Sequence, residues 1–115
     1  MIINGKKILV QRDVATPSGY RIFMVEGDDM KECYICKKDN QTGYWRVFMG
    51  NSSQARVYDV EFYYLHKLVY AYMMDWKSTD IQEGCHVHHI LHTEKFRNDA
   101  IKYNDISNLL IYLFI

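Results

Sequence analysis

Short apolar runs separated by turn-forming residues fill the first sixty positions. Lys7–Val14, Tyr20–Val25, Cys33–Lys37, Gly43–Met49 and Arg56–Val60 are the apolar-rich runs. Between them stand Thr16-Pro17-Ser18-Gly19, Glu26-Gly27-Asp28-Asp29, Lys38–Thr42 and Gly50-Asn51-Ser52-Ser53. Gly reaches positive φ and Pro lacks a ladder donor, while Asp, Asn and Ser bond their own backbone, so these clusters read as turns. Runs this short, broken this often, predict an antiparallel β meander. Then the period changes. Leu65, Leu68, Val69, Tyr72, Met73 and Trp76 recur at helical spacing, which predicts one helix over Glu61–Asp75 with its apolar stripe packed on the sheet. Lys77–Gly84 is polar and loop-like. Cys85–Leu91 returns to strand character, His92–Asp105 reads as a long polar loop, and Ile106–Ile115 is apolar again. The expected fold is α+β in a single domain, with residues 1–60 β-rich and residues 61–115 carrying the helix and a terminal β-hairpin.

Composition changes this picture little. Aromatics reach 15%, ten of them Tyr, which suits sheets and surfaces that stack on flat ligands. The 14 basic and 14 acidic side chains sum to zero. Proteins that hold duplex DNA through phosphates alone are usually basic, so a general DNA-coating role is disfavoured, although the sum hides any local basic face. The longest apolar runs, such as Leu109–Ile115, are too short to span a bilayer. Residues Met1–Lys7 lack the order of a secretory signal. A cytoplasmic protein with no membrane partner is expected. Three cysteines in that setting do not make a disulfide framework.

The candidate chemistry lies near the end. Four histidines, His86, His88, His89 and His92, fall within seven residues. On a strand His86 and His88 share one face, and Val87 and His89 share the other. One imidazole can then ligate a divalent cation while its neighbour on the opposite face stays available as a base, since the histidine pKa lies near neutrality. The bland alternatives are surface or satisfied core histidines, or an adventitious metal trap.

Three segments sharpen the reading. "HKLVYAYM" at His66–Met73, "HVHHI" at His86–Ile90 and "NDISNLLIY" at Asn104–Tyr112 occur in this order. Over residues 57–112 the chain resembles the HNH (ββα-metal) endonucleases of phage and homing type. That resemblance implies a DNA endonuclease hydrolysing phosphodiester bonds with one divalent metal, Mg or Mn. It gives His88 the metal-ligand position and His89 the general base, with the metal polarising the scissile phosphate. It gives Asn108 the central Asn, which braces the hairpin and helps orient the base. Asn104 takes a structural turn position, and His66 supports the fold. Two departures stand out. Thr93–Tyr103 is an insertion relative to the family. The family's last ligand, about nine residues past the central Asn, would fall beyond Ile115. His92, Glu94, Asp99 or another subunit would have to replace it. A catalytically inactive HNH-derived protein that binds nucleic acid, or a host protein as an anti-defence inhibitor, is the rival expectation. The resemblance also implies phage origin and hence the cytoplasm of a bacterial host.

Three further sets of residues carry expectations of their own. Lys95, Arg97 and Lys102 in the insertion are candidates for phosphate contact, because a loop beside the active strand meets the substrate. Tyr44, Trp45, Arg46 and Phe48 form an aromatic and basic strip near Arg56, with Trp45 and Phe48 expected in the core. Cys33-Tyr34-Ile35-Cys36 is a CxxC, half of a tetrahedral zinc site. Cys85 with His86 or His92 would complete it if the tail folds over the meander. Otherwise the three thiols stay reduced, and a zinc-stabilised interaction module is the third reading.

Overall fold

The computed structural model describes residues 1–3, 5–49, 62–75 and 85–113, without the side chains of 85, 86 and 110–113. The expected run Arg56–Val60, the loop Lys77–Gly84 and Trp76 lie outside the described residues. The fold is α+β, as the pattern of runs implies.

Among the described residues the strands form three antiparallel sheets. The first has the order β1-β2-β3-β4, built from β1 (Ile2–Ile3), β2 (Lys6–Arg12), β3 (Tyr20–Glu26) and β4 (Asp29–Glu32). The second has the order β5-β6-β7, from β5 (Tyr34–Lys37), β6 (Trp45–Phe48) and β7 (Phe62–Tyr64). The third pairs β8 (Cys85–His89) with β9 (Leu109–Leu113). In β3 the alternation is clean: Tyr20, Ile22 and Met24 are buried while Arg21, Phe23 and Val25 are half-buried. The register sets Ile8 opposite Met24 and Val10 opposite Ile22, so one face of the first sheet is apolar. The β4 strand was hidden in sequence because all four of its residues are exposed. It covers the sheet edge, and the Arg21 guanidinium grips the Glu32 carboxylate at 2.8 and 2.9 Å.

Helix α1 (Leu65–Met73) is shorter than the expected Glu61–Asp75. Phe62–Tyr64 belong instead to a strand that pairs with β6, Arg46 opposite Tyr64 and Phe48 opposite Phe62. Their aromatic side chains favour a pleated surface. The helix ends at Met74, after which Asp75 turns left-handed at φ 55. Leu65, Leu68 and Ala71 are fully buried, and Val69 nearly so. Met73 was placed on this stripe by its spacing but lies past the edge of the packed surface, 58% exposed. The helix joins Ile8, Ile22 and Val47 in one core, so it packs against both larger sheets.

The expected loop His92–Asp105 is instead largely helical. Two single turns, α2 (Glu94–Arg97) and α3 (Ala100–Tyr103), lead into a 3-10 turn at Ile106–Asn108. The Asp99 side chain caps α3 by accepting from the Lys102 amide at 3.3 Å, and Asp105 accepts from the Ser107 amide at 3.0 Å. The loop is pinned to the second sheet by the Tyr103 hydroxyl, which donates to the Thr42 carbonyl at 2.7 Å.

Gly43 sits where this contact is tightest. Its φ is +70, and an added Cβ would come within 2.8 Å of the Arg97 Cβ and 3.2 Å of the Tyr103 ring. Gly27, at φ +59, faces open space. Gly27→Ala should therefore lose only the left-handed backbone preference, about 1 kcal/mol, while Gly43→Ala should lose at least about twice that. Urea unfolding midpoints of the two variants check this; equal losses would mean that the loop does not press on the Lys38–Tyr44 turn.

Candidate functional site

Strand β8 sends its histidines in opposite directions. His89 is 7% exposed and lies inward with Val87, whereas His88 is exposed. The register places His89 opposite Leu109 and Val87 opposite Ile111, and Leu109 is buried in the core. The inward face of the hairpin is thus an apolar face that carries one imidazole.

That imidazole sits among aromatic rings. The Tyr103 ring stacks on it at 3.6 Å between centroids with only 4° between planes. His66, from α1, lies at 4.4 Å and Tyr44 at 5.5 Å. His66 is itself flanked by Tyr44 at 4.7 Å and Tyr64 at 5.6 Å. The cluster draws one ring from each of α1, α3, β7, β8 and the turn before β6.

The hydrogen bonds fix the state of His89. The Asn104 amide nitrogen donates to the Ala100 carbonyl at 3.0 Å, so its amide oxygen faces His89 Nε2 at 3.1 Å. An oxygen facing Nε2 must accept, so the proton sits on Nε2 and Nδ1 is the bare nitrogen. That Nδ1 is buried and has no hydrogen-bond partner, and the same holds for His66 Nδ1. Burial pushes the His89 pKa down to about 4, and the nearby His88 and His92 push it the same way; the Asn104 bond opposes them. His66 is driven well below 6.5, first by burial and then by His89 and His88, against a hydrogen bond to the Val87 backbone. Both imidazoles are neutral at pH 7.

Asn108 braces the hairpin. Its side-chain oxygen accepts from the Leu91 amide at 2.7 Å, and its nitrogen donates to the carbonyls of Leu91 and Tyr103 at 3.1 and 2.9 Å. Its three hydrogen bonds tie the turn between β8 and β9, and none of them reaches His89. Asn104 does more than occupy a turn: it holds the His89 ring, and its carbonyl accepts from the Tyr20 hydroxyl at 3.3 Å. Of the rings around His89, Tyr103 was not marked by sequence, and Tyr44 was placed only in the strip with Trp45, Arg46 and Phe48, not beside the histidines. For Tyr103 the only signal was an aromatic excess, which names no contact.

A hard cation needs several oxygen ligands. Among the described residues no group of three or more His, Cys, Asp or Glu side chains gathers in a ligating arrangement. His88 points away from His89 across the strand, and His92 is exposed at the start of the insertion. Cys33 is buried in the core, where burial pushes its thiol up to about 11. Cys36 lies half-buried in β5 beside the Arg46 guanidinium at 3.9 Å. Cys85 belongs to β8, and its side chain lies outside the described residues.

The basic residues of the insertion divide. Lys95 and Lys102 are exposed. Arg97 is half-buried and donates to the His92 carbonyl at 2.8 Å, closing the loop on itself. Arg12, which sequence reasoning passed over, reaches Asp105 at 3.5 Å from the first sheet. Trp45 is half-buried and Phe48 is core. Compared with family models, curated proteins and solved structures, the chain has no match.

The buried imidazoles give a pH signature. Folded His89 takes up a proton only near pH 4, whereas the unfolded residue does so near 6.5. Between those values the unfolded chain binds more protons, so stability is present in full above pH 6.5 and is lost as pH falls toward 4. For His89 alone the loss is about 3 kcal/mol, with His66 adding in the same direction. Urea midpoints measured from pH 7 to 4 should fall accordingly and fall less in His89→Gln; a flat profile in the wild type would show that these rings are solvated.

Proposed function

We propose that this chain is an HNH-derived nucleic-acid-binding protein that retains the nuclease hairpin as a scaffold and does not use its histidine pair for hydrolysis. The observation that carries the reading is the setting of His89. A general base must come within hydrogen-bond reach of the water it activates. The His89 ring is stacked on Tyr103, its Nε2 is engaged by Asn104, and its Nδ1 is sealed from solvent. Near pH 4, its basicity is also far below that of an effective base at neutral pH.

What the hairpin presents outward supports binding. Lys95 and Lys102 are exposed on the insertion between its strands. Phosphate contacts of this kind position a backbone without reading its sequence. A chain with no net charge can still bind through a local patch, and Lys95 and Lys102 give this loop two exposed cations. The resemblance to phage-type enzymes implies the cytoplasm of a bacterial host as the setting for this binding.

Purified protein should shift DNA in a salt-dependent manner and leave supercoiled plasmid intact with Mg or Mn. Each phosphate contact contributes about 0.9 to the slope of log affinity against log salt. Lys95→Gln combined with Lys102→Gln should therefore lower that slope by about 2. Metal-dependent nicking by the wild type that disappears in His88→Ala would overturn the proposal in favour of the endonuclease. Absence of any DNA binding, with a host protein recovered instead, would favour the inhibitor.

A further inference from the structure

Two recesses meet at the Arg12–Asp105 ion pair. One, of about 360 Å³, is lined by Arg12, Phe96, Lys102, Asp105 and Ser107. The other, of about 290 Å³, is lined by Val10, Tyr20, Val69, Tyr72, Met73 and Ile106, with Arg12 and Asp105 at its margin. The first sets Arg12 and Lys102 beside the Asp105 carboxylate, with Leu91 and Phe96 as its apolar part. The second is apolar and lies between the end of α1 and the first sheet. Arg12 and Asp105 belong to both, so the two are neighbours across one ion pair.

We propose that this double recess holds a single nucleotide unit, its phosphate between Arg12 and Lys102 and its base in the apolar recess against Tyr72. The proposal rests on the nucleic-acid reading above and names the form of nucleic acid preferred. Three observations carry it. The two recesses differ in chemistry, with Arg12 and Lys102 as cations in the first and a largely apolar wall carrying Tyr20 and Tyr72 in the second. Each half has room for its part, since a nucleobase is far smaller than the apolar recess. The Arg12 side chain is 55% exposed and meets only one carboxylate oxygen, at 3.5 Å, so most of its guanidinium donors remain for a phosphate. The other Asp105 oxygen is held by the Ser107 amide and hydroxyl at 3.0 and 2.8 Å, so one oxygen of that carboxylate is committed to its own loop while the second faces Arg12.

A base can reach such a recess only when it is unstacked. A single strand offers this freely, whereas a duplex must flip the base out at a cost in unstacking energy. Stacking on an aromatic ring is also tolerant of sequence, because every base has a π-face. The same chemistry is available from a free nucleotide, and the test separates the two sources.

The test uses the full chain with three probes: oligothymidylate, a hairpin duplex and thymidine monophosphate. Binding is read by fluorescence anisotropy, with backbone amide shifts of the wild type mapped by NMR. Oligothymidylate should bind about tenfold more tightly than the duplex. Tyr72→Ala and Arg12→Gln should each erase most of that preference, and the amides of Arg12, Tyr72 and Lys102 should shift. Shifts at these amides with thymidine monophosphate, but no binding of either polymer, would support the recess and overturn the nucleic-acid reading. Polymer binding that weakens in Lys95→Gln but is unchanged in Tyr72→Ala and Arg12→Gln, with silent recess amides, would overturn the recess and leave the reading standing. Silence with all three probes would overturn both.

Discussion

The stack of His89 on Tyr103 is the contact on which the C-terminal half depends. It lies at 3.6 Å with the rings nearly parallel, and it joins the inward face of β8 to the helical insertion that interrupts the hairpin. Asn104, the next residue, hydrogen-bonds the same imidazole, and its carbonyl receives the Tyr20 hydroxyl from the first sheet. Tyr103 reaches the other way, to Thr42 in the turn before β6. One neutral histidine thus sits where the hairpin, the insertion and both larger sheets are tied together. With Asn108 closing the turn behind it, the loop is held at both ends.

This placement decides between two uses of the same residues. A base needs access to water and a pKa near the working pH, and a structural imidazole needs neither. Burial among apolar and aromatic groups disfavours the charged ring. It also leaves the Nδ1 atoms of His66 and His89 without a hydrogen-bond partner, and on His89 that atom is the bare acceptor. An unmet acceptor of this kind is a penalty of about 1–3 kcal/mol, which the packing around the rings must outweigh. The insertion that seals His89 also sets Lys95 and Lys102 outward, so closing the site and displaying a cationic loop are one structural event.

Much of the fold was legible in the sequence because its signals are local. The turn at Thr16–Gly19, the apolar run Tyr20–Val25 and the return to strand at Cys85 are short-range patterns, and each has its counterpart in the structure. The start of α1 was misplaced because Phe62–Tyr64 are apolar at positions compatible with either period, and pairing with β6 decides for strand. The β4 strand carries no apolar signal at all, since a polar edge strand is specified by its neighbour. The insertion was read as a loop because its single helical turns are too short to show a period. At the site, the bracing role of Asn108 followed from the Asn-Leu segment. The burial of His89 did not, because it depends on Tyr103 and Tyr44, which come from distant parts of the chain. No pattern of spacing distinguishes a histidine facing solvent from one stacked between tyrosines.

The most direct measurement of whether His89 is a sealed structural residue is its imidazole ¹⁵N chemical shifts, followed from pH 7.5 to 4 with and without Mn. A neutral ring protonated on Nε2, unchanged until the pH nears 4 and free of paramagnetic broadening, is the expected result. A ring that titrates near 6.5 and broadens on addition of the metal would place His89 in an open, metal-adjacent site and contradict the structural role assigned to it.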